Sequence, residues 1–383
     1  MGSLYIHIPF CTSRCGYCTF YSELYHTHAS LVEPYFKRLL EELSFLVHEK
    51  RLSFDTVYIG GGNPGLLGVE RLFSLVKLIH TRGKPREVTM EINPETLTEE
   101  FFPLFDDRLI TRLSIGIQSM NDGFLKRIGR NASSLINERA LRLLERIRTL
   151  YDVEVSVDLI VAIPGQTIGD LQSDLKRILS LCAANHISLY CLTVEEGSRL
   201  FEQGDIFMSE DEQASLLTEL WAYLKTLGFE HYEVSNFARE GAYSRHNLVY
   251  WKLGTYIGLG SSAASTIEEE GALVHYAQEQ DLQAYAQGEP FTGYEKELLT
   301  PVERIEEEIM VGLRTRWGID KDSFSRRTGY DFSTLFDRII ATLDPTWYTE
   351  SSQFFVLTEN GFMVLDAILL RFFEAIAEGL DRP

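Results

Sequence analysis

Three of the chain's five cysteines, Cys11, Cys15 and Cys18, fall within the stretch HIPFCTSRCGYCTFYS. Their C-x3-C-x2-C spacing lets three thiolates meet at one metal centre. Structural zinc takes four ligands, usually two close cysteine pairs or added histidines at suitable spacing. Cys182 and Cys191 are nine apart and lie on helix-like and strand-like segments, so they form no second pair. A cubane [4Fe–4S] cluster held by three thiolates leaves one iron open to an outside ligand. The spacing favours that cluster, with a zinc site, or two buried thiols and a spare, as the alternatives. Arg14, inside the loop, is expected to favour the thiolate form.

The rest of the chain must hold such a loop. With 383 residues, 45% hydrophobic and 24% charged, it has the composition of a large soluble globular protein of two or three domains. The net charge of −20, from 36 basic and 56 acidic residues, argues against nucleic-acid or anionic-membrane surfaces. Five cysteines are too few for a disulfide scaffold, and the opening MGSLYIHIPF lacks a secretion signal's basic head and apolar run. Ile6 stands where myristoylation would want Ser or Thr. The apolar stretch VLDAILLRFFEAIA carries Asp366 and Arg371, so it reads as an amphipathic or buried helix. A reduced, cytoplasmic protein is expected.

Six short β-branched or aromatic runs alternate with helical patterns: 4–8, 55–59, 88–92, 112–117, 154–161 and 187–192. The rhythm predicts an α/β fold with a parallel sheet and right-handed crossovers. Each run is followed by a polar or glycine-rich cluster: Cys11 to Cys18, GGGNPG (60–65), EINPE (91–95), QS (118–119), PGQT (164–167) and TVEEGS (193–198). Sites gather at the carboxyl ends of parallel strands. With all six ends equipped, one central mouth is expected, as in a partial (β/α)6 TIM-like barrel. Period-two alternation puts Tyr5 and His7 on one face of the first strand, with Leu4, Ile6 and Ile8 packed outward. Past residue 200 the rhythm breaks. Residues 210–228 read as a helix and 230–265 as irregular. From Thr300 the pattern is helices with one short hairpin. The expected domains are a barrel over 1–200, an extension over 201–299 and a mainly helical, winged-helix-like unit over 300–383.

A cysteine motif of this spacing with an aromatic, Tyr17, before its last cysteine resembles the radical S-adenosylmethionine superfamily. In that superfamily the open iron chelates the nucleotide's methionine moiety, and reduction releases a 5′-deoxyadenosyl radical. Within it, YIHIPFC, EINPET, RLSIGIQS, VDLIVAIPGQT and ISLYCLTVEEGS resemble the oxygen-independent coproporphyrinogen III oxidase family in order and placement. The resemblance spans roughly residues 4–320. It implies that Tyr5 and Tyr17 touch the nucleotide beside the cluster, and that Gly61, Gly62 and Asn63 line its methionine. Glu91 would bind a polar part of the nucleotide, and Thr193 would lie near its adenine. Gln118, Arg130 and Asp158 match positions where the family's dehydrogenase holds a second nucleotide. Glu91, Gln118 and Asp158 could equally cap strand-to-helix turns, and Arg130 could be a surface cation.

That dehydrogenase extends its cysteine motif by x-C, where this chain has Phe20. The missing thiol resembles a sister group of haem chaperones, whose H-N-x-x-Y-W motif stands here as HNLVYW, 246–251. The resemblance therefore implies a haem carrier rather than an enzyme, with radical decarboxylation of coproporphyrinogen III as the alternative and a degenerate scaffold as the bland one. It implies His246 as the haem ligand, beside Asn247, Tyr250 and Trp251. The implied partners are haem, an acceptor protein, an electron donor such as a flavodoxin or ferredoxin, and peripherally membrane haem proteins. Several positions depart from the pattern. Asn63 and Gly65 replace Thr and Ser after the second strand, Ser262 and Ala264 replace Gly and His in GLGSSAAS, and VAIPGQT lacks the usual aromatic and glycine before its proline, at Ala162 and nearby.

Overall fold

Outward-facing aliphatic residues on alternate strand positions build the central sheet. The computed structural model describes residues 2–193, 200 and 207–380. Six parallel strands run in chain order: β1 (Gly2–Ile8), β2 (Phe54–Gly61), β3 (Glu87–Ile92), β4 (Arg112–Gln118), β5 (Glu154–Val161) and β6 (His186–Cys191). One face carries Leu4, Ile6, Ile8, Val57, Ile59, Met90, Ile115 and Val157, all 0% exposed in the core. Each such side chain contributes roughly 1.5–3 kcal/mol by leaving water.

The helices α1 (Val32–Ser44), α2 (Val69–Ile79), α3 (Asp122–Arg127), α4 (Ser134–Tyr151) and α5 (Ile168–Leu181) make four of the crossovers. Their starts are written locally. Ser133 accepts from the Ile136 N–H, and Thr167 with Asp170 forms a reciprocal capping box. Between β3 and β4 the crossover is 3-10 turns over 99–104 and 106–108, around Pro103. The opposite face of the strands is polar: Tyr5, His7, Tyr58, Glu91, Ser114, Asp158 and Ser188 bond among themselves or to neighbouring loops.

Residues 230–265 are not irregular, contrary to the sequence reading. After the helix α6 (Glu210–Thr226), which occupies the expected 210–228 span, they hold β7 (Glu230–Glu233), β8 (Asn236–Ala238), the helix α7 (Arg245–Trp251) and β9 (Tyr256–Leu259), and they lead into β10 (Ala264–Glu269). With β11 (Ala272–Gln278) and β12 (Tyr294–Leu298), these extend one sheet to twelve strands in the order β12-β11-β10-β9-β1-β2-β3-β4-β5-β6-β8-β7. Strands of three or four residues are too short for periodicity to show. They form because β1 and β6 offer open edges, to which β9 pairs parallel and β8 antiparallel.

The segment before α7 closes the floor of the partial barrel, at the amino ends of the strands. Arg112 donates to the carbonyls of Ala242 and Tyr243 at 2.9 and 3.0 Å. Glu87 accepts from the backbone N–H of Arg245 and His246 at 3.0 and 2.9 Å.

From Pro301 the chain forms helices Pro301–Gly312, Lys321–Thr328, Phe332–Ile340 and Leu365–Leu380 around an aromatic core of Phe324, Phe332, Phe336, Phe355 and Phe372. A small antiparallel sheet of 319–320, 348–350 and 354–357 flanks them. In the last helix Ile368, Phe372 and Ile376 are 0% exposed and Leu370 63%, an amphipathic pattern. Among the described residues, no helix is long and apolar enough to cross a membrane.

Candidate functional site at the carboxyl ends of the strands

The cysteine loop is tied down on three sides. Cys11 lies on a two-residue strand paired with Glu23–Leu24, and its carbonyl accepts from the Tyr25 N–H at 2.9 Å. The Gly16 N–H reaches the Ile128 carbonyl at 2.9 Å, and the Gly16 carbonyl accepts from Leu200 at 3.1 Å. The Asn63 N–H donates to the Phe10 carbonyl at 2.7 Å, lacing the glycine-rich loop onto the same strand. A Cβ on Gly62 would stand 2.6 Å from the Phe10 carbonyl oxygen and 3.0 Å from the Cys11 sulfur, so glycine is required for this approach.

All three thiols are free, with Cys18 exposed and Cys11 and Cys15 partly buried. Burial pushes the Cys11 thiol up to about 11 and raises Cys18 as well. The cation beside them is Arg130, whose Nη1 lies 3.5 Å from the Cys15 sulfur. Arg14 does not play the part expected of it: it turns to the Ser22 carbonyl and the Glu23 carboxylate, at 3.0 and 3.1 Å.

Behind the loop, Glu91 accepts from the Gly61 N–H at 3.0 Å and from the Tyr58 hydroxyl at 2.6 Å. Burial raises its carboxyl to about 7, against those two bonds. Asp158 is raised by burial to about 6, held back by hydroxyls of Ser188, Ser114 and Ser156. Arg130 donates to Asn93 at 2.7 Å and to the Gly116 carbonyl at 3.0 Å, while its Nε has no partner among the described residues. Gln118 is beside it with a left-handed φ of 65° and an unpartnered buried Oε1. The fold thus gathers Glu91, Gln118, Arg130 and Asp158 from four loci far apart in sequence. Gln118 is strained, and among the described residues two buried polar atoms stay unmet, features that cluster at functional sites.

Other expected residues stand differently. Asn63 is wholly buried and its amide bonds Thr96, so its side chain braces the 93–96 loop. Tyr5 donates to His7 Nδ1 at 2.8 Å, and His7 Nε2 meets the Tyr21 carbonyl at 3.0 Å, making both supports under the mouth. Tyr17 packs on the small apolar cluster of Ile128, Ile160, Ile163, Leu192 and Leu200. Thr193 is exposed; positions 194–198 of its cluster lie outside the described residues. His246 is 0% exposed, with Nδ1 2.9 Å from Thr56 and Nε2 2.7 Å from the Tyr250 hydroxyl. Both ring nitrogens are used at the barrel floor, so in this conformation it presents none to an iron. Sequence reasoning missed Tyr58, Ser114, Ser156 and Ser188, which occupy the alternate positions of strands already recognised.

Residues 5–178 match the Radical SAM superfamily, and residues 299–364 match the HemN C-terminal domain. The chain is 32% identical to heme chaperone HemW of Bacillus subtilis over 94% of its length and 96% of that protein's. The chain belongs to the HemW family. Heme chaperone HemW of Lactococcus lactis is 30% identical, with 97% of each chain covered. Among solved structures, coproporphyrinogen III oxidase HemN of Escherichia coli shares the fold, with a TM-score of 0.75, 18% identity and coverage of 97% of this chain and 89% of that one.

Membership of the radical SAM superfamily implies a [4Fe–4S] cluster and S-adenosylmethionine. The residues fit both. Three free thiols share one braced loop, and Gly62 keeps the space beside the Cys11 sulfur open. Among the described residues no three His, Cys, Asp or Glu converge as they would on a single ion. A cubane is held at three separate iron corners, so its thiolates need not converge.

Two departures keep a glycine conformation without glycine. Ala162 has φ 65° and Ser262 has φ 67°, both left-handed. An L-residue costs about 1–2 kcal/mol there, partly offset by its stiffer unfolded chain. Ala162→Gly and Ser262→Gly are each expected to stabilise the protein by about 0.5–1 kcal/mol in urea unfolding. A lower midpoint in both variants would show that the backbone is not strained.

Proposed function

We propose that this chain is a haem chaperone, which binds haem and passes it to an acceptor protein. The observation that carries this reading is the match, over nearly the whole of both chains, to proteins named heme chaperone HemW. Phe20 supports it: this side chain, 75% exposed on the cysteine loop, can supply no fourth thiol. Cys11, Cys15 and Cys18 would hold the cluster, which when bound supplies an electron to the nucleotide sulfonium. Gly61 and Gly62 would line the methionine part of S-adenosylmethionine, Glu91 would bind a polar part of the nucleotide, and Thr193 would lie near its adenine. Gln118, Arg130 and Asp158 form a polar shelf for a second ligand. A flavodoxin or ferredoxin is the proposed donor, and the cytoplasm the proposed compartment, with peripheral contact to membrane haem proteins.

The test is to titrate haem into anaerobic, reconstituted protein while assaying protoporphyrinogen formation separately. A saturable Soret shift without protoporphyrinogen is expected. Turnover of coproporphyrinogen III would replace this reading with the oxidase one.

The acid at Glu91 sets a pH dependence. Its native carboxyl titrates near 7, so it is charged above that pH and neutral below it. Glu91→Gln keeps an acceptor for the Gly61 N–H but removes the charge that attracts a cationic nucleotide. Nucleotide affinity is expected to fall by roughly ten-fold at pH 8, about 1.4 kcal/mol, and much less at pH 6. An equal loss at both pH values would mean the charge plays no part.

A further inference from the structure

We infer that His28, on the surface segment just after the cysteine loop, is the haem-iron ligand, with Phe20 and Arg14 completing the docking face; this rests on the haem-binding reading above. A metal-ligating imidazole presents one nitrogen and has the N–H of the other held by a carbonyl or carboxylate. His28 has that arrangement. Its Nδ1 stands 3.2 Å from the Leu24 carbonyl and 4.0 Å from the Glu23 carboxylate, with the Thr27 hydroxyl at 2.9 Å. The carbonyl and carboxylate place the proton on Nδ1 and leave the lone pair on Nε2. Among the described residues Nε2 has no partner, and the side chain is 36% exposed.

Among the other histidines, His80 also holds one nitrogen on a carbonyl, that of Leu109, but it stands half-buried on the turn between α2 and β3. His231 is buried with Nε2 on the Val234 carbonyl, and His48 is exposed with no ring bond among the described residues. His7, His186 and His246 spend both nitrogens on internal bonds. His275 is divided between Thr266 and Glu307. His26 is exposed, but no bond of its ring fixes its tautomer among the described residues.

Haem also brings a flat apolar ring and two carboxylates. Phe20, 75% exposed, offers apolar surface on the same segment. Arg14, 56% exposed, uses Nη2 on Ser22 and Glu23, leaving its remaining N–H groups for a propionate. These groups are close. Arg14 touches Ser22, two residues from Phe20, and holds the carboxylate of Glu23 that faces His28. At about 3.3–3.6 Å per residue, Phe20 lies within roughly 7 Å of Ser22 along the backbone.

The experiment titrates haem into reconstituted wild type and the His28→Ala, His26→Ala and His246→Ala variants, reading the Soret band and affinity. His28→Ala is expected to weaken binding by about ten-fold or more and to lose the histidine-ligated Soret position, which added imidazole restores. His26→Ala keeps wild-type affinity, and so does His246→Ala under conditions where it stays folded. Phe20→Ser with Arg14→Gln weakens binding without moving the Soret maximum. Unchanged binding and spectrum in His28→Ala, with wild type binding haem, overturns this assignment alone. Absence of any Soret change in wild type overturns the chaperone reading and the assignment with it.

Discussion

Single replacement of Cys11, Cys15 or Cys18 by alanine is expected to abolish the brown chromophore of the reconstituted protein. The loop that carries them is held by backbone bonds from Tyr25, Ile128 and Leu200, none of which uses a cysteine side chain. The variants should therefore fold and differ only in the cluster. Burial raises the Cys11 and Cys18 thiols, so cluster assembly must displace their protons and should quicken as pH rises. The two remaining cysteines serve as controls. Cys182 is 1% exposed, its thiol raised to about 12 by burial, and Cys191 donates to Gln213 at 3.1 Å. Iron content and absorbance in Cys182→Ser and Cys191→Ser should match wild type. A full complement of iron in Cys15→Ala would sink the three-thiolate assignment.

The second large effect lies at the other end of the barrel. Arg112 is 1% exposed and bonds Glu87, Glu154 and the carbonyls of Ala242 and Tyr243. Removing it leaves Glu87, 2% exposed, without its opposite charge. It also cuts the tie between the floor of the barrel and the segment that enters α7. Breaking a buried ion pair from one side costs about 3–5 kcal/mol, because the remaining charge stays desolvated. Arg112→Met is expected to lower stability by that amount in urea unfolding, with Glu87→Gln added to it recovering part of the loss. A drop smaller than about 1 kcal/mol would mean that water reaches the network and the pair is effectively exposed.

Much of the site was legible in the residues because its spacing is local. The C-x3-C-x2-C loop, the glycines at 60–62 and the strand ends are each set within a few residues of one another. The period-two pattern of LYIHI placed Tyr5 and His7 on the inner face, and the aliphatic residues outward, before any contact was known. The strands were readable for the same reason, since each repeats its pattern over five residues or more. The short strands between 230 and 265 were not readable. They are stabilised by sheet edges supplied from elsewhere in the chain, which a local pattern cannot record.

Side-chain partnership was likewise decided by the tertiary structure. Arg14 and Arg130 are equally plausible partners for the thiols by type, and Arg14 is nearer in sequence. The crossover from β4 brings Arg130 to Cys15, while the paired strand at Glu23 draws Arg14 away. His246 shows the same division. The motif around His246 is specific, yet α7 carries it to the barrel floor and closes both its nitrogens. His28, in no motif, is set locally instead: the 23–27 turn holds its Nδ1, and among the described residues its Nε2 has no partner. Residue type and local spacing determined which chemistry this chain can do; long-range pairing decided which atoms remain free to do it, because a hydrogen bond used inside the fold is not available to a ligand.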